Sequence, residues 1–149
     1  MTNTPAHSTL ASLGWSSFFA DQVKVSEADL ALRRVASVHR ARIEAIDATG
    51  PAKVELSASA NTADFAVGDW VLADPLSSAF VRRLDRKTVF QRRPEVGRSR
   101  QLVAANIDTL LIVTSCNADF NIDRLERYLI MANEAGSTPV IVLTKADTV

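Results

Sequence analysis

The residues whose types and spacing could do chemistry are Thr144-Lys145-Ala146-Asp147, directly after the apolar run Val140-Ile141-Val142-Leu143. A carboxylate can accept two parallel hydrogen bonds from guanine, at the ring N1–H and the exocyclic amine. Adenine offers an unprotonated ring nitrogen there and no amine, so the same carboxylate would face an unpaired acceptor, and such mismatches discriminate strongly. Asp147 is the candidate for that carboxylate. Lys145 would lay its alkyl stem along the purine face, and Thr144 would hold the loop with its hydroxyl. The pattern [Asn/Thr]-Lys-x-Asp is short, and its weight comes from its place after a buried-looking strand.

The elements that must position this motif follow from periodicity. Ile107-Asp108-Thr109-Leu110-Leu111-Ile112-Val113 is a near-continuous apolar run, typical of a parallel strand covered on both faces. Asn121 is suited to cap a helix and Asp123 to its first turn; Ile122, Leu125, Leu129 and Ala132 repeat at helical spacing, and Gly136 supplies the stop. With Val140–Leu143 as a second covered strand, residues 107–143 predict a β-α-β unit with parallel strands. Two strands and one helix cannot make a stable doubly wound domain, so the chain is expected to stop inside one.

Upstream the grammar is different. Arg33–Val38, Arg42–Ile46, Lys53–Leu56, Val67–Leu72 and Phe80–Leu84 read as short strands, with Val89-Phe90 completing the set. Thr49-Gly50-Pro51 and Gly68-Asp69 are turn signals between them. A small closed barrel suits such strands, because closure removes exposed edges. An OB-fold is the most economical choice, and an SH3-like barrel is an alternative that periodicity cannot separate. Before it, Leu10, Leu13 and Phe18 predict a short amphipathic helix in an arm that docks through Trp15, Phe18 and Phe19. The resulting division is 1–30 arm, 31–93 OB-fold that binds RNA, and 94–149 the incomplete start of a nucleotide-binding α/β domain.

Charge is uneven. The 149 residues hold 17 Lys+Arg against 17 Asp+Glu, yet residues 81–100 carry eight bases (Arg82, Arg83, Arg86, Lys87, Arg92, Arg93, Arg98, Arg100) against Asp85 and Glu95. Arginine suits forked phosphate contacts. A solvated strand face with a linker and a nucleic-acid patch are both open readings; the second makes Arg82, Arg83, Arg92 and Arg93 the RNA-binding candidates.

Composition excludes several classes. Hydrophobic residues at 47% and charged residues at 23% rule out a disordered tail. Cys116 is the single cysteine and His7 and His39 the two histidines, so neither a disulfide scaffold nor a metal site is expected in this chain. No membrane-length apolar run or secretory signal is read, and a cytoplasmic, monomeric protein is expected. Trp70 reads as core rather than an RNA-stacking platform, Cys116 as an inert small hydrophobe, and His39 as a surface residue. Asp119 and Asp123 read as helix-start charges, and Asp108 is given no catalytic role.

Residues 114–121 (Thr-Ser-Cys-Asn-Ala-Asp-Phe-Asn), 124–129 (Arg-Leu-Glu-Arg-Tyr-Leu) and 139–147 (Pro-Val-Ile-Val-Leu-Thr-Lys-Ala-Asp) closely resemble the ribosome-small-subunit-dependent GTPase A family. The similarity extends through Gln101–Asp108, Val67–Val71 and Leu13-Gly14-Trp15. It implies an N-terminal OB-fold, a circularly permuted GTPase domain and a C-terminal zinc-binding domain. It also implies binding to the small ribosomal subunit late in its maturation, and GTP hydrolysis with Mg²⁺ when the subunit stimulates it. Permutation explains a guanine-reading motif placed ahead of the phosphate loop. Two departures stand out. Thr144 occupies a position where many GTPases have Asn, and no Gly-x-x-x-x-Gly-Lys-[Ser/Thr] occurs in the 149 residues. Mg²⁺ and zinc are therefore expected only in a missing C-terminal part, and this chain alone is expected to be inactive, with no catalytic residue of its own. The alternative function is a stand-alone OB-fold RNA-binding module without nucleotide activity.

Overall fold

The computed structural model describes residues 10–92, 101–118 and 120–148. Five strands, β1 (Ala31–Val38), β2 (Ile43–Asp47), β3 (Gly50–Lys53), β4 (Trp70–Ala73) and β5 (Phe80–Arg83), form an antiparallel sheet in the order β3-β2-β1-β4-β5. β3 begins earlier than the sequence predicts: the reversal falls on Ala48-Thr49, and Gly50 and Pro51 already pair with Asp47 and Ile46. Pro51 is tolerated because β3 ends the sheet order. The two edges of the sheet meet at one point. Glu55, past β3, bridges Ala79, before β5, in parallel; its amide donates to the Ser78 carbonyl at 2.8 Å and its carbonyl accepts from Phe80 at 2.9 Å.

β4 explains why the sheet holds together. Its residues alternate between faces, and each is fully buried, Trp70, Val71, Leu72 and Ala73 all at 0% exposure. Val71 joins Val35, Ile43, Ala45, Val54 and Phe65 in one core. Trp70 and Leu72 join Leu10, Phe19 and Leu84 in a second, with Leu13 and Trp15 against it. The arm is thus the cover for the second face. It is not the single amphipathic helix that the sequence predicts. A helical turn at 10–12 and α1 (Ser17–Ala20) are separated at Gly14, whose φ of +86° ends the first. The rotation buries Phe19 and leaves Phe18 41% exposed. Trp15 meets the Trp70 ring edge-on at 4.8 Å and stacks on Phe19 at 5.7 Å.

The turn from β4 to β5 is closed by Asp74. Its Oδ1 accepts from the Leu76 amide (3.0 Å), the Ser77 amide (2.7 Å) and the Ser77 hydroxyl (2.8 Å). These donors, with the Ser77 amide foremost, hold the Asp74 carboxyl below its ordinary range. Leu76 stands at the tip, 95% exposed.

Val89-Phe90 do not complete the five-stranded sheet. They lie in β6 (Val89–Arg92), which pairs antiparallel with β7 (Gln101–Ala105) as a separate ribbon. The ribbon attaches through a parallel bridge between Val67 and Ala104, and the Ala105 amide donates to the Val67 carbonyl at 2.8 Å. Gly68, at φ +96°, is required here, because any Cβ would collide with the Ala105 carbonyl. Beside it Asp69, 0% exposed, takes a two-pronged contact from Arg86 (2.7 Å to each oxygen) and accepts from the Ala66 amide at 2.8 Å.

β8 (Thr109–Ser115) and β9 (Thr138–Thr144) pair in parallel, with Leu111 opposite Val140 and Thr114 opposite Leu143. α2 (Ile122–Ala135) connects them. Asn121 Oδ1 accepts from the Arg124 amide at 2.9 Å, Asp123 lies in the first turn, and Gly136 ends the helix at φ +77°, as the sequence predicts. The cover on both faces does not follow. Leu125 and Ala132 of α2 and Ile112 and Thr114 of β8 are buried, but Leu111 and Val113 are 61% and 62% exposed and Val140–Leu143 are 36–55% exposed. One helix covers one face, and among the described residues no second element lies over Leu111, Val113, Val140 and Val142.

Candidate functional site

Thr144 is the last residue of β9, and the chain leaves the sheet there. Its hydroxyl donates to the Thr114 carbonyl at 3.3 Å, and its own carbonyl accepts from the Cys116 amide at 3.0 Å. The end of β9 is thereby fastened to the end of β8 from both sides. Lys145 follows in the left-handed region, φ +54°, and the short 3-10 turn Ala146–Thr148 carries Asp147. A β residue, a left-handed residue and a helical turn in succession end the strand abruptly at Thr144. Lys145 and Asp147 are both exposed at the carboxyl end of the parallel pair. The sequence anticipates this placement. The bracing role of Cys116 is not anticipated; its thiol is half-buried and its main-chain N–H makes the contact.

The arginine band is divided by the fold. Arg82 makes a forked contact with Glu27, 2.7 Å to each oxygen, and donates to the Gln22 carbonyl at 2.7 Å. The Arg82 guanidinium, with the Lys24 amide, pulls the Glu27 carboxyl down to about 2, and Arg82 itself is pushed up by the same pairing. Arg83 donates to the Leu84 carbonyl at 3.3 Å and lies 4.0 Å from Asp69. Arg86 is committed to Asp69, and Lys87 reaches Asp108 at 3.0 Å. Arg82 and Arg83 together line a groove of about 480 Å³ with Asn61, Asp64, Phe65 and Phe80. Arg92 is exposed on β6, in a different sheet. Arg93, Arg98 and Arg100, with the connector Pro94–Arg100, lie outside the described residues, as do His7 and Asp119.

A second polar group lies at the β1–β2 hairpin. The Ser37 hydroxyl contacts His39 Nε2 at 2.8 Å and Glu44 at 3.0 Å, and Arg42 reaches Glu44 at 3.2 Å. Ser37, then Arg42 and His39, lower the Glu44 carboxyl from its usual range. This is an exposed hairpin brace. His39 Nε2 faces both the serine and the carboxylate, so the imidazole cannot relay a proton between them through its two nitrogens. Trp70 is core, at 0% exposure. Among the described residues no three His, Cys, Asp or Glu side chains are grouped to hold a metal ion. No helix among them is long and apolar enough to cross a membrane.

The RsgA GTPase family model matches residues 83–149. A small ribosomal subunit biogenesis GTPase RsgA of Mesorhizobium japonicum is 59% identical over 145 residues, covering 97% of this chain and 42% of that protein. An RsgA 2 of Vibrio parahaemolyticus is 41% identical over 140 residues, covering 93% and 38%. The chain spans about two fifths of the length of these curated relatives. Among solved structures, YjeQ from Thermotoga maritima superposes with a TM-score of 0.60 at 20% identity, covering 80% of this chain and 43% of that one. YloQ, described as a circularly permuted GTPase, gives 0.58 at 14% identity, covering 85% and 44%. These two likenesses show the fold alone.

Proposed function

This chain belongs to the RsgA GTPase family, and we propose that it supplies the guanine-reading corner and the RNA-gripping barrel of a GTPase acting late in maturation of the small ribosomal subunit. The observation that carries this is the position of Thr144–Asp147 at the carboxyl end of β9, where Thr144 is braced by Cys116 and Thr114. Ligands of open α/β sheets bind at that end of the strands. Asp147 accepts from guanine N1–H and the exocyclic amine, Lys145 lies along the purine face, and Thr144 holds the turn. With Thr144 in place of Asn, its hydroxyl goes to β8 and the base-reading hydrogen bonds fall to Asp147.

The five-stranded sheet acts as an OB-type barrel in this reading. Support comes from β1 lying between β2 and β4, and from the parallel contact of Glu55 with Ala79. Its RNA contacts are made to phosphate and shape, through Arg83 in the groove and through Arg92 and Arg93, while Arg82, held by Glu27 and Gln22, shapes the groove wall. The nucleotide domain is circularly permuted. Phosphoryl transfer needs a phosphate cradle, Mg²⁺ and a positioned water. The cradle motif does not occur in these 149 residues, so hydrolysis belongs to a longer polypeptide, which also holds the Mg²⁺ and the zinc. This chain alone is inactive. The working protein is a cytoplasmic monomer.

The test is nucleotide competition on the full-length polypeptide. GDP displaces a labelled guanine nucleotide and ADP does not. Asp147→Ala lowers guanine affinity roughly 100-fold or more by removing two charge-assisted hydrogen bonds. Unchanged preference for GDP over ADP in that variant would falsify the assignment.

A further inference from the structure

Asn106 sits where the five-stranded sheet meets the parallel pair. It is 7% exposed and has φ +57°, a left-handed backbone that Asn, Asp and Gly adopt more readily than other residues. Its polar groups are engaged on several sides. The amide donates to the Thr88 carbonyl at 2.9 Å, Oδ1 accepts from the Lys87 amide at 2.7 Å, Nδ2 donates to the Gly68 carbonyl at 3.0 Å, and the carbonyl accepts from Arg34 at 2.9 Å. Arg34 belongs to β1; its guanidinium also donates to the Leu13 carbonyl of the arm and lies 5.8 Å over the Trp70 ring. One side chain and its peptide groups therefore hold β1, the turn before β4, and the entry to β6.

The contacts continue toward the motif. The Ile107 amide donates to Thr88 Oγ1 at 2.8 Å, and its carbonyl accepts from Thr88 Oγ1 at 3.0 Å and from the Ser137 hydroxyl. The Asp108 carbonyl accepts from the Thr138 amide at 2.8 Å, and Thr138 opens β9, whose far end carries Thr144. Buried polar groups cannot exchange these bonds for water without cost, so the seam resists continuous deformation.

We propose that Asn106 is a positioning residue that fixes the angle between the five-stranded sheet and the β8–α2–β9 unit, so that RNA held on the first changes guanine-nucleotide affinity on the second. The proposal rests on the functional reading above. Coupling between two sites is a reciprocal free energy, and the hydrogen bonds that run from buried Asn106, Thr88 and Ser137 to the start of β9, whose other end carries the motif, are a physical route for it.

The experiment measures the GDP dissociation constant of the full-length polypeptide with and without small ribosomal subunits. Asn106→Gly keeps the left-handed backbone and main-chain bonds and deletes the carboxamide. Asn106→Asp keeps an acceptor for Lys87 and loses the donor to Gly68. Subunits are expected to change wild-type GDP affinity by roughly fivefold or more, a typical coupling, and Asn106→Gly to cut this to below about twofold with affinity in their absence within about threefold of wild type. Asn106→Asp restores part of the coupling. Full coupling in Asn106→Gly, or none in the wild type, overturns the proposal. GDP and ADP bound alike by the wild type would instead remove the nucleotide reading itself, a separate failure. If Asn106→Gly does not melt cooperatively, Asn106→Asp, which loses only the donor to Gly68, carries the same comparison: coupling equal to wild type overturns the proposal, and reduced coupling supports it.

Discussion

β4 and β9 are both written as runs of apolar residues, Trp-Val-Leu-Ala and Val-Ile-Val-Leu, and the fold treats them oppositely. Each residue of β4 is at 0% exposure, whereas Val140 to Leu143 are 36–55% exposed. The difference lies in what other elements supply. β4 has the Val35–Phe65 core on one face and the arm on the other. β9 has α2 on one face and, among the described residues, nothing on the other. An apolar run states a demand for cover, and only the rest of the chain can meet it.

The seam below β4 gives the largest way to break this contrast. Asp69→Ala leaves the Arg86 guanidinium and the Ala66 amide without their buried partner, and a loss of about 3–5 kcal/mol is expected in denaturant titration. A loss near zero would mean that β4 does not owe its order to this pair.

Truncations on the two strands compare cover directly. Leu72→Ala is expected to cost about 2–5 kcal/mol, and Val113→Ala, on the open face, to stay within about 0.5 kcal/mol. Both tryptophans, Trp15 and Trp70, lie in the first region, so tryptophan fluorescence follows it, while helical ellipticity is weighted toward α2. Ellipticity is expected to fall first on heating. Coincident transitions would show that the regions share one cooperative unit.

The arginines sharpen the contrast between paired and exposed charge. Arg92→Glu is expected to leave melting unchanged and to reduce the salt slope of RNA binding by about 1 or slightly more. Arg82→Glu should lower the melting temperature, because it sets two carboxylates together where Glu27 now meets a guanidinium. Equal effects of the two on melting would show that the Glu27 contact contributes nothing.

The smallest expected effect is a pH dependence. The Glu27 carboxyl is held at about 2 against an ordinary value of 4.5, with the Arg82 hydrogen bond as the main cause. The folded-state value is depressed, so its contribution is fully present above the ordinary value and is lost as pH falls toward about 2. Arm docking, followed by Trp15 fluorescence, should loosen across that window, and Glu27→Gln should flatten the response.

What was legible in the sequence was local. Asn121, Asp123 and Gly136 mark the two ends of α2 because caps act over a few residues, and Thr144–Asp147 announces its strand end because the apolar run stops there. What was illegible was pairing across distance. Val89-Phe90 look like further strand residues of the barrel, and only the fold reveals β7 as their partner. Arg82 looks like a free cation until Glu27, 55 positions earlier, folds against it. Gly14 is visible in the sequence, but the exchange of Phe18 for Phe19 on the buried side depends on the left-handed turn it makes.

The Asp74 turn bears on survival in the presence of proteases. Leu76 offers a side chain that chymotrypsin-like enzymes favour, and a loop tip is where nicking usually concentrates. Cleavage needs several residues drawn out into an extended strand, and here the Asp74 carboxylate and the Ser78–Asp74 main-chain bond hold them curled. The most solvent-accessible leucine of this chain should therefore be among its slower sites to cut, until acid protonates the single carboxylate that keeps the loop wound.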